Sequence, residues 1–355
     1  MAEIWRLLDS GLTAPAGHIA LSRALLEARQ ANEIPNTLRF SRTTRCVLLG
    51  CQQSAEQALD LEYCRARALP IQRRITGGSA VFLDERQLVW ELYMRREDAD
   101  ASSVAKRVCH AAATALCALG ADARYRARND VEVDGRTLGT AGFAVEDDAL
   151  LLQGMLLLDA DAPEAFAPLR TPWNANPAAL AVEARKRVVS VREALGRVPD
   201  VARIKHNLME AFESEFDVEF RDTDLGMTEQ ARCAAAIAHI DSALWVDHIA
   251  RPAAEIPLLA ATHQTAAGVL RVIVAFEHST RSLKQVWFEG EAPVDPARTL
   301  SDLEADLRGA SAERLGQRIE SFFASRAVQM RGFVPADFSE VLRKATRQRL
   351  VAGNS

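Results

Sequence analysis

Lysine is nearly absent from this sequence. Only five of its 43 basic residues are lysines, namely Lys106, Lys186, Lys205, Lys284 and Lys344. Almost all positive charge is therefore carried by arginine, whose planar guanidinium group binds phosphate and carboxylate through two parallel hydrogen bonds. No lysine occurs between Lys106 and Lys186, and this gap affects the site predicted in that stretch.

Three further absences limit the class of protein. The sequence has no apolar run of about 18 residues, the length that predicts a membrane-spanning helix, and residues 1–5 do not begin a signal peptide. Its six cysteines form no C-x-x-C pair, which argues against a zinc or disulfide framework. The net charge of −5 argues against general nucleic-acid binding. These features predict a cytoplasmic protein with no membrane and no nucleic-acid partner.

The chain is long enough for two domains. Over residues 1–222, strand-like runs alternate with amphipathic helices, which predicts an α+β domain with a mostly antiparallel sheet and flanking helices. Turn-forming residues at 222–226 place a boundary there, so residues 223–355 are predicted to form a small α+β accessory domain that begins with a long helix. Within the first domain, residues 38–40 and 46–50 are predicted to form a hairpin.

One block stands out, the run from Arg73 to Asp84 with the sequence RRITGGSAVFLD. Paired glycines accept backbone angles closed to other residues, and they let a ligand lie against the main chain. Successive amides in such a loop can point at one anion, and two adjacent arginines add forked cationic donors. The block therefore indicates a site for phosphate or an adenylate, and the alternative is a tight turn with two surface arginines.

The block resembles the signature of lipoate–protein ligases, in the superfamily of biotin/lipoate ligases and octanoyltransferases. The resemblance recurs in order at residues 47–54, which end a strand in a glutamine-containing turn, at Arg128-Asn129-Asp130, and at residues 151–159. It is strong over residues 45–160 and looser elsewhere. It implies a biotin/lipoate ligase-like catalytic domain followed by the accessory domain.

The resemblance also implies a reaction. Lipoate or another medium-chain carboxylic acid would attack ATP to give an acyl-adenylate, and a lysine of a lipoyl-type acceptor domain would then take the acyl group. The implied catalytic residues are Arg73, Asp130 and Arg136, and Asp130 with Asn129 would hold Mg²⁺. The implied ligand-binding residues are Arg74, Thr76, Gly77, Gly78, Ser79, Ala80, Val81, Asn129, Gly139, Thr140 and Ala141. Val81, Ala141 and residues 156–158 would line an apolar slot for the acyl chain.

The sequence departs from the family pattern at its lysine. The family has Lys-x-x-Gly-x-Ala where this chain has Arg136-Thr137-Leu138-Gly139-Thr140-Ala141. By spacing Arg136 takes the place of the lysine, and a second alignment deletes the lysine altogether. Arginine keeps the charge, but the two side chains are not interchangeable at such a site.

Two alternatives to an ATP-dependent ligase remain open. Cys51 follows the Gly50 turn, and a thioester on this cysteine would make the protein an octanoyl- or lipoyltransferase instead. The missing lysine also fits a homologue that binds an acyl-adenylate or a lipoylated partner without catalysis.

Overall fold

The structure of the protein is a computed structural model. It describes residues 2–96, 101–126, 129–249, 256–265, 268–289, 294–295, 299–330 and 332–347. The chain divides into two compact units, Met1–Arg251 and Pro252–Ser355. The division therefore falls later than the boundary after residue 222 that the turn chemistry indicated. None of the described helices is long and apolar enough to cross a membrane.

The first unit carries the larger share of the secondary structure. Its strands are β1 (Glu3–Thr13), β2 (Thr37–Thr43), β3 (Cys46–Leu49), β4 (Ile71–Arg73), β5 (Val81–Leu83), β6 (Gln87–Arg95), β7 (Arg124–Arg126), β8 (Asp130–Val133), β9 (Arg136–Glu146), β10 (Ala149–Leu157) and β11 (Val218–Asp222). Its helices are α1 (Pro15–Gln30), α2 (Ala55–Ala58), α3 (Leu61–Ala66), α4 (Ala101–Cys117), α5 (Ala162–Phe166), α6 (Pro177–Arg187), α7 (Val191–Leu195), α8 (Val201–Phe216), α9 (Met227–Ile240) and α10 (Ala243–Val246).

An eight-stranded sheet in the order β11-β1-β2-β6-β10-β9-β8-β7 organises the first unit. Strand β1 pairs in parallel with β11 and β2, and the five remaining pairings are antiparallel. A small second sheet, in the order β4-β3-β5, carries the glycine-rich block between two of its strands. The predicted α+β class with a mostly antiparallel sheet is confirmed.

The two faces of the large sheet are covered by different helices. Alternate residues of β6 and β10, among them Trp90 and Leu152, join the core that also holds residues of α4 and α8. The intervening residues, such as Tyr93 and Leu151, join the core that also holds residues of α1. Because successive side chains of a strand point to opposite faces, each residue of β6 and β10 is assigned to the α4/α8 face or the α1 face, and pairing extends the assignment to residues 139–146 of β9. This assignment decides which site residues can meet.

The predicted hairpin of residues 38–40 and 46–50 is wrong. Strand β2 pairs with β1 and β6 in the large sheet, whereas β3 pairs with β4 and β5 in the small one. The two strands are close in sequence and carry strand-like apolar runs, but the pattern of apolar residues does not specify the partner of a strand.

Residues 223–249 belong to the first unit, although the sequence assigned them to an accessory domain. Helix α9 packs on α1, and the carboxylate of Glu229 forms a buried ion pair with Arg6 of β1 at 2.5 Å. The Trp245 indole donates to the carbonyl of Arg73 at 2.9 Å. The segment predicted as the first helix of the accessory domain thus packs in the first unit, and its α10 part contacts β4, the strand that leads into the glycine-rich block.

The second unit is a smaller α+β fold. Its elements are β12 (Leu258–Thr265), β13 (Gly268–Glu277), β14 (Ser282–Glu289), β15 (Val294–Asp295), α11 (Thr299–Leu307), α12 (Leu315–Ala324), β16 (Gln329–Met330) and α13 (Pro335–Thr346). An antiparallel sheet β12-β13-β14 shares one core with residues of the three helices. Both strands and helices are present in this unit, in agreement with the α+β prediction for the accessory domain.

Gly154 generates a prediction about stability. It lies opposite Trp90 across β10 and β6, and a Cβ at this position would lie 1.9 Å from the indole ring. We expect Gly154→Ala to lower the free energy of unfolding by about 2–3 kcal/mol, because the buried indole has to shift. Gly17→Ala in α1 is the control, because its Cβ meets nothing within 4 Å. Urea unfolding of both variants checks this, and equal stabilities would contradict it.

Candidate functional site

The glycine loop, residues 76–80, is folded around a buried arginine. The Arg74 side chain donates hydrogen bonds to the carbonyl oxygens of Gly77 at 2.7 Å and Ser79 at 2.8 Å. It also donates to Thr76 Oγ1 at 3.1 Å and to the carbonyl of Leu48 at 3.1 Å. Burial lowers the pKa of Arg74 to about 10, so the side chain remains a cation at neutral pH. The carbonyls of the loop therefore point inward.

The same geometry turns amides of the loop outward. In a planar trans peptide the N–H points away from the preceding C=O, so the amides of Gly78 and Ala80 point away from Arg74. Among the described residues, no hydrogen bond partner is found for the Gly78 or Ser79 amide. Gly78 has φ +101° and is exposed, a conformation that favours glycine. Amides presented in this way can bind an anion.

Two other segments hold the loop closely. A Cβ on Gly50 would lie 2.0 Å from the carbonyl oxygen of Gly78, and one on Gly142 would lie 2.9 Å from that of Gly77. The amide of Cys51 donates to the carbonyl of Thr76 at 3.0 Å. The loop is thus pressed between the turn after β3 and strand β9, at a place where only glycines leave room.

The side chain of Arg73, which was predicted to be catalytic, is occupied by backbone carbonyls. Its guanidinium group is fully buried and donates to five backbone carbonyls, those of Gly50, Cys51, Gln53, Trp245 and Val246. Burial lowers its pKa. Because these acceptors lie in the turn after β3 and in α10, Arg73 connects these two segments. The turn after β3 in turn packs against the glycine loop.

Asp130 lies on the α1 face of the sheet, close to the loop. It pairs with Thr140 across β8 and β9, and the amide of Ala141 donates to the carbonyl of Asn129 at 2.8 Å. Because Thr140 and Gly142 share one face of β9, Asp130, Thr140 and the glycine loop come together on that face. Arg128, the first residue of the predicted Arg-Asn-Asp motif, lies outside the described residues.

A buried arginine that sequence analysis missed holds the Asp130 carboxylate. The Arg126 side chain on β7 donates to Asp130 Oδ2 at 2.9 Å, to Thr137 Oγ1 at 2.7 Å and to the carbonyl of Gly135 at 3.1 Å. Its spacing of four from Asp130 is the single local signal, and that signal is weak because only the strand pairing brings the two together. Arg126 therefore places a buried positive charge directly beside the Asp130 carboxylate.

Arg136, the predicted replacement for the family lysine, is engaged elsewhere. It follows the Asp134–Gly135 turn, where both residues have positive φ, and its guanidinium group pairs with Glu193 of α7. Both partners are partly exposed, at 25% and 55% for their side chains. Arg136, at the start of β9, is therefore paired with Glu193, whereas the guanidinium group that contacts Asp130 is that of Arg126.

The predicted acyl slot is not formed as proposed. Gly139 and Ala141 share the α4/α8 face, and Ala141 packs against the same core as Leu156 and Leu158. Val81 packs against the core on the α1 face instead. Val81 lies on β5 of the small sheet and packs against a different core from Ala141, so the two do not line one slot.

The α1 face holds a row of buried polar side chains, which we call the polar row: Arg39 on β2, Glu91 on β6 and Gln153 on β10. They are successive cross-strand neighbours, and Gln153 is followed in the same register by Gly142. Arg39 Nη1 donates to Glu91 Oε2 at 2.7 Å, and Gln153 Nε2 donates to Glu91 Oε1 at 2.7 Å. The row ends beneath the glycine loop.

His18 of α1 and Glu91 both have lowered pKa values. Burial lowers the pKa of His18 from 6.5 to about 4, against the opposing effect of Glu91. Burial alone would raise the pKa of Glu91, but Arg39 and His18 outweigh it and leave this pKa below its ordinary value. At neutral pH the cluster therefore contains a neutral histidine, a carboxylate and one guanidinium cation.

The site offers one carboxylate to a cation and no complete metal cage. Within the described ranges, no group of three or more histidine, cysteine, aspartate or glutamate residues is arranged to hold a metal ion. One oxygen of Asp130 accepts from Arg126, and the other forms no hydrogen bond with the described residues. Such a carboxylate fits Mg²⁺ that is bound mainly by phosphate oxygens and water.

The sequence model of the lipoyl protein ligase A/B catalytic domain matches residues 14–213, more than half of the chain. This chain belongs to the lipoyl protein ligase A/B family. The match spans both the glycine loop and Asp130, and it confirms the resemblance that the RRITGGSAVFLD block carried.

The relatives of this chain are named either as octanoyltransferases or as lipoate–protein ligases. Octanoyltransferase LipM of Moorella thermoacetica is 28% identical over 270 residues, which are 69% of this chain and 98% of the relative. The bi-partite lipoate protein ligase of Thermoplasma acidophilum, studied with its E2 lipoyl domain, has a TM-score of 0.62 at 25% identity over 70% of this chain and 98% of that one. A lipoate-protein ligase A bound with ATP shares the fold, with a TM-score of 0.60 at 23% identity over 69% and 98% of the two chains.

The lowered pKa of His18 generates a prediction for acid stability. Because its folded pKa lies below its unfolded pKa, the unfolded chain takes up a proton between pH 6.5 and about 4 that the folded chain does not. The stability is present above pH 6.5 and falls by about 3 kcal/mol as the pH drops to 4. Urea unfolding as a function of pH measures this loss.

Two variants separate this effect from general acid sensitivity. His18→Gln removes the titrating group, so we expect a flatter profile between pH 6.5 and 4.5. His206→Gln on α8, where the side chain is 59% exposed, is the control and keeps the profile of the original protein. A slope that is unchanged in His18→Gln would refute the assignment.

Proposed function

We propose that this protein is an ATP-dependent acyl–protein ligase. It activates lipoate or a related medium-chain acid as the acyl-adenylate and transfers the acyl group to a lysine of a lipoyl-type acceptor domain. The observation that carries the proposal is the glycine loop, in which Arg74 holds the carbonyls of Gly77 and Ser79 inward and leaves amides directed outward. Outward amides beside a buried cation suit the phosphate of an adenylate.

The chemistry proceeds in two balanced steps. A carboxylate oxygen of the acid attacks the α-phosphorus of ATP, the bond to the β-phosphate oxygen breaks, and pyrophosphate leaves. The neutral amine of the acceptor lysine then attacks the acyl carbonyl carbon, AMP leaves with the electrons of the broken acyl–oxygen bond, and the nitrogen loses a proton. The chain supplies no nucleophile of its own, so its contribution is to align the reactants and to stabilise charge on the phosphate.

Different residues on the α1 face would bind the phosphate and the metal ion. The outward amides of the loop contact the α-phosphate, where negative charge accumulates as pyrophosphate leaves. Asp130, fixed by Arg126, would hold Mg²⁺ together with phosphate oxygens, and the ion would supply charge neutralisation when bound. Arg126 contributes a permanent positive charge next to this carboxylate.

Two relatives support the partners of this reaction. The lipoate-protein ligase A structure was solved with ATP, and the ligase of Thermoplasma acidophilum was studied with an E2 lipoyl domain. By analogy, we propose ATP as the substrate that activates the acid and a lipoyl-type domain as the acceptor.

A cysteine-dependent octanoyl- or lipoyltransferase is the second candidate, and one observation favours it. Cys51 is partly exposed, and its amide is bonded to the glycine loop, so its thiol lies near the candidate site. The similarity to octanoyltransferase LipM points the same way. In this mechanism the Cys51 thiolate would attack an acyl thioester, release the donor thiol and pass the acyl group to the acceptor lysine.

The ligase proposal predicts acid-dependent exchange of pyrophosphate into ATP. We expect exchange with lipoate or octanoate, and a mass increase of one acyl group on a lipoyl-type acceptor domain. Asp130→Asn should lower the exchange rate by about 100-fold, because the amide can no longer help to neutralise the phosphates. Exchange of radiolabelled pyrophosphate and intact-protein mass spectrometry provide the measurements.

The matched control is Asp122→Asn. Asp122 has a side chain that is 69% exposed and pairs with Arg124 on the surface, so this variant should retain the exchange rate. Absence of exchange with lipoate, octanoate and biotin would remove the ligase proposal for these acids. Binding of an acyl-adenylate without turnover would then favour the non-catalytic homologue.

The two candidates differ in their need for Cys51. If the adenylate route is correct, Cys51→Ser keeps ATP-dependent transfer within about twofold, because the thiol forms no bond to the substrate. Cys117→Ser, at an exposed cysteine of α4, controls for general effects of removing a thiol. Loss of transfer in Cys51→Ser alone, together with an acyl-thioester adduct on the original protein, would establish the transferase instead.

A further inference from the structure

The polar row and the glycine loop are joined by a continuous chain of hydrogen bonds. Arg74 Nε donates to Thr76 Oγ1 at 3.1 Å, and Thr76 Oγ1 donates to Gln153 Oε1 at 2.9 Å. Gln153 Nε2 then donates to Glu91 Oε1 at 2.7 Å. All four side chains are at most 9% exposed, so water does not compete for these bonds.

The direction of every bond in this chain is fixed by the charge of Glu91. An ionised carboxylate only accepts, so Gln153 must direct its NH₂ group toward Glu91 and its carbonyl oxygen toward Thr76. The Thr76 hydroxyl must then donate its single proton to Gln153, which leaves its lone pairs for the Arg74 Nε–H. Arg39, fully buried beside Glu91, stabilises the ionised carboxylate.

Arg74 is the side chain that this chain of bonds orients. With its Nε held by Thr76, its terminal nitrogen Nη2 donates to the carbonyls of both Gly77 and Ser79. The outward direction of the loop amides thus depends on Thr76, and through Gln153 on Glu91. The row crosses β6 and β10, the strands at the centre of the sheet, so its anchor is rigid.

We propose that Thr76, Gln153 and Glu91 are positioning residues that hold the glycine loop in its anion-binding conformation. They do not touch the substrate and act through Arg74. The expected effect on catalysis rests on the proposed function, whereas the expected effect on the loop does not. The carboxylate of Glu91 on β6 is therefore connected to Arg74 through two side chains, those of Gln153 and Thr76.

Three threonine variants test this proposal. Thr76→Val keeps the shape but removes both hydrogen bonds, and Thr76→Ser keeps the hydroxyl. Thr114→Val is the control, because the Thr114 hydroxyl bonds only within α4, to the carbonyl of His110. The first measurement is amide hydrogen exchange of residues 74–83, and the second is the KM for ATP and kcat of pyrophosphate exchange.

We expect Thr76→Val to speed hydrogen exchange in the loop by about tenfold, as the loss of one or two buried hydrogen bonds predicts. Its KM for ATP should rise by a similar factor while the KM for the acid changes little, because the loop contacts phosphate. Thr76→Ser should restore both values to within about threefold of the original protein, and Thr114→Val should leave both unchanged.

The outcomes separate the two proposals. Unchanged loop exchange in Thr76→Val, or equal exchange in the valine and serine variants, overturns the positioning role whether or not the protein has ligase activity. Faster exchange spread over the whole first unit also overturns it, because that result indicates a general loss of stability. If the original protein shows no pyrophosphate exchange, the ligase proposal fails while the hydrogen-exchange comparison still decides the positioning role.

Discussion

The buried guanidinium group of Arg74 is the constraint on which the candidate site depends. A cation removed from water is strongly destabilising unless hydrogen-bond acceptors replace the lost hydration. Here the acceptors are backbone carbonyls of the glycine loop itself, so the loop must curl around the side chain. This requirement explains both the exposed Gly78 with positive φ and the absence of a side chain on Gly50, and it turns the amides of the loop outward.

The sheet separates apolar packing from polar chemistry by strand alternation. The α4/α8 face is almost entirely apolar and supplies the larger core of the first unit. On the α1 face, the same strands present the polar row and, nearer the end of the sheet, Asp130 and Arg126. The α1 face therefore carries the candidate site beside an apolar core of its own, whereas the α4/α8 face mainly contributes packing.

Sequence reasoning pointed to the candidate site but did not foresee the contacts of its arginines. The block from Arg73 to Asp84 and the pair Asn129-Asp130 were recognisable because each is a short contiguous pattern. The roles of the arginines were not recognisable, since Arg73 and Arg136 are taken up by backbone carbonyls and by Glu193. Arg126 escaped attention because only the pairing of β7 with β8 and the bulge in β9 bring it to Asp130 and Thr137.

The sequence by itself determined the α+β class and the family, and it pointed to the glycine loop as a candidate anion site. These properties depend on local periodicity and on contiguous residues, which the order of amino acids records directly. The tertiary structure decided that residues 223–249 pack in the first unit, that Val81 and Ala141 belong to different cores, and that a carboxylate on β6 is connected to the loop. Such relations depend on strand register and on the burial of charge, which arise only when distant segments meet.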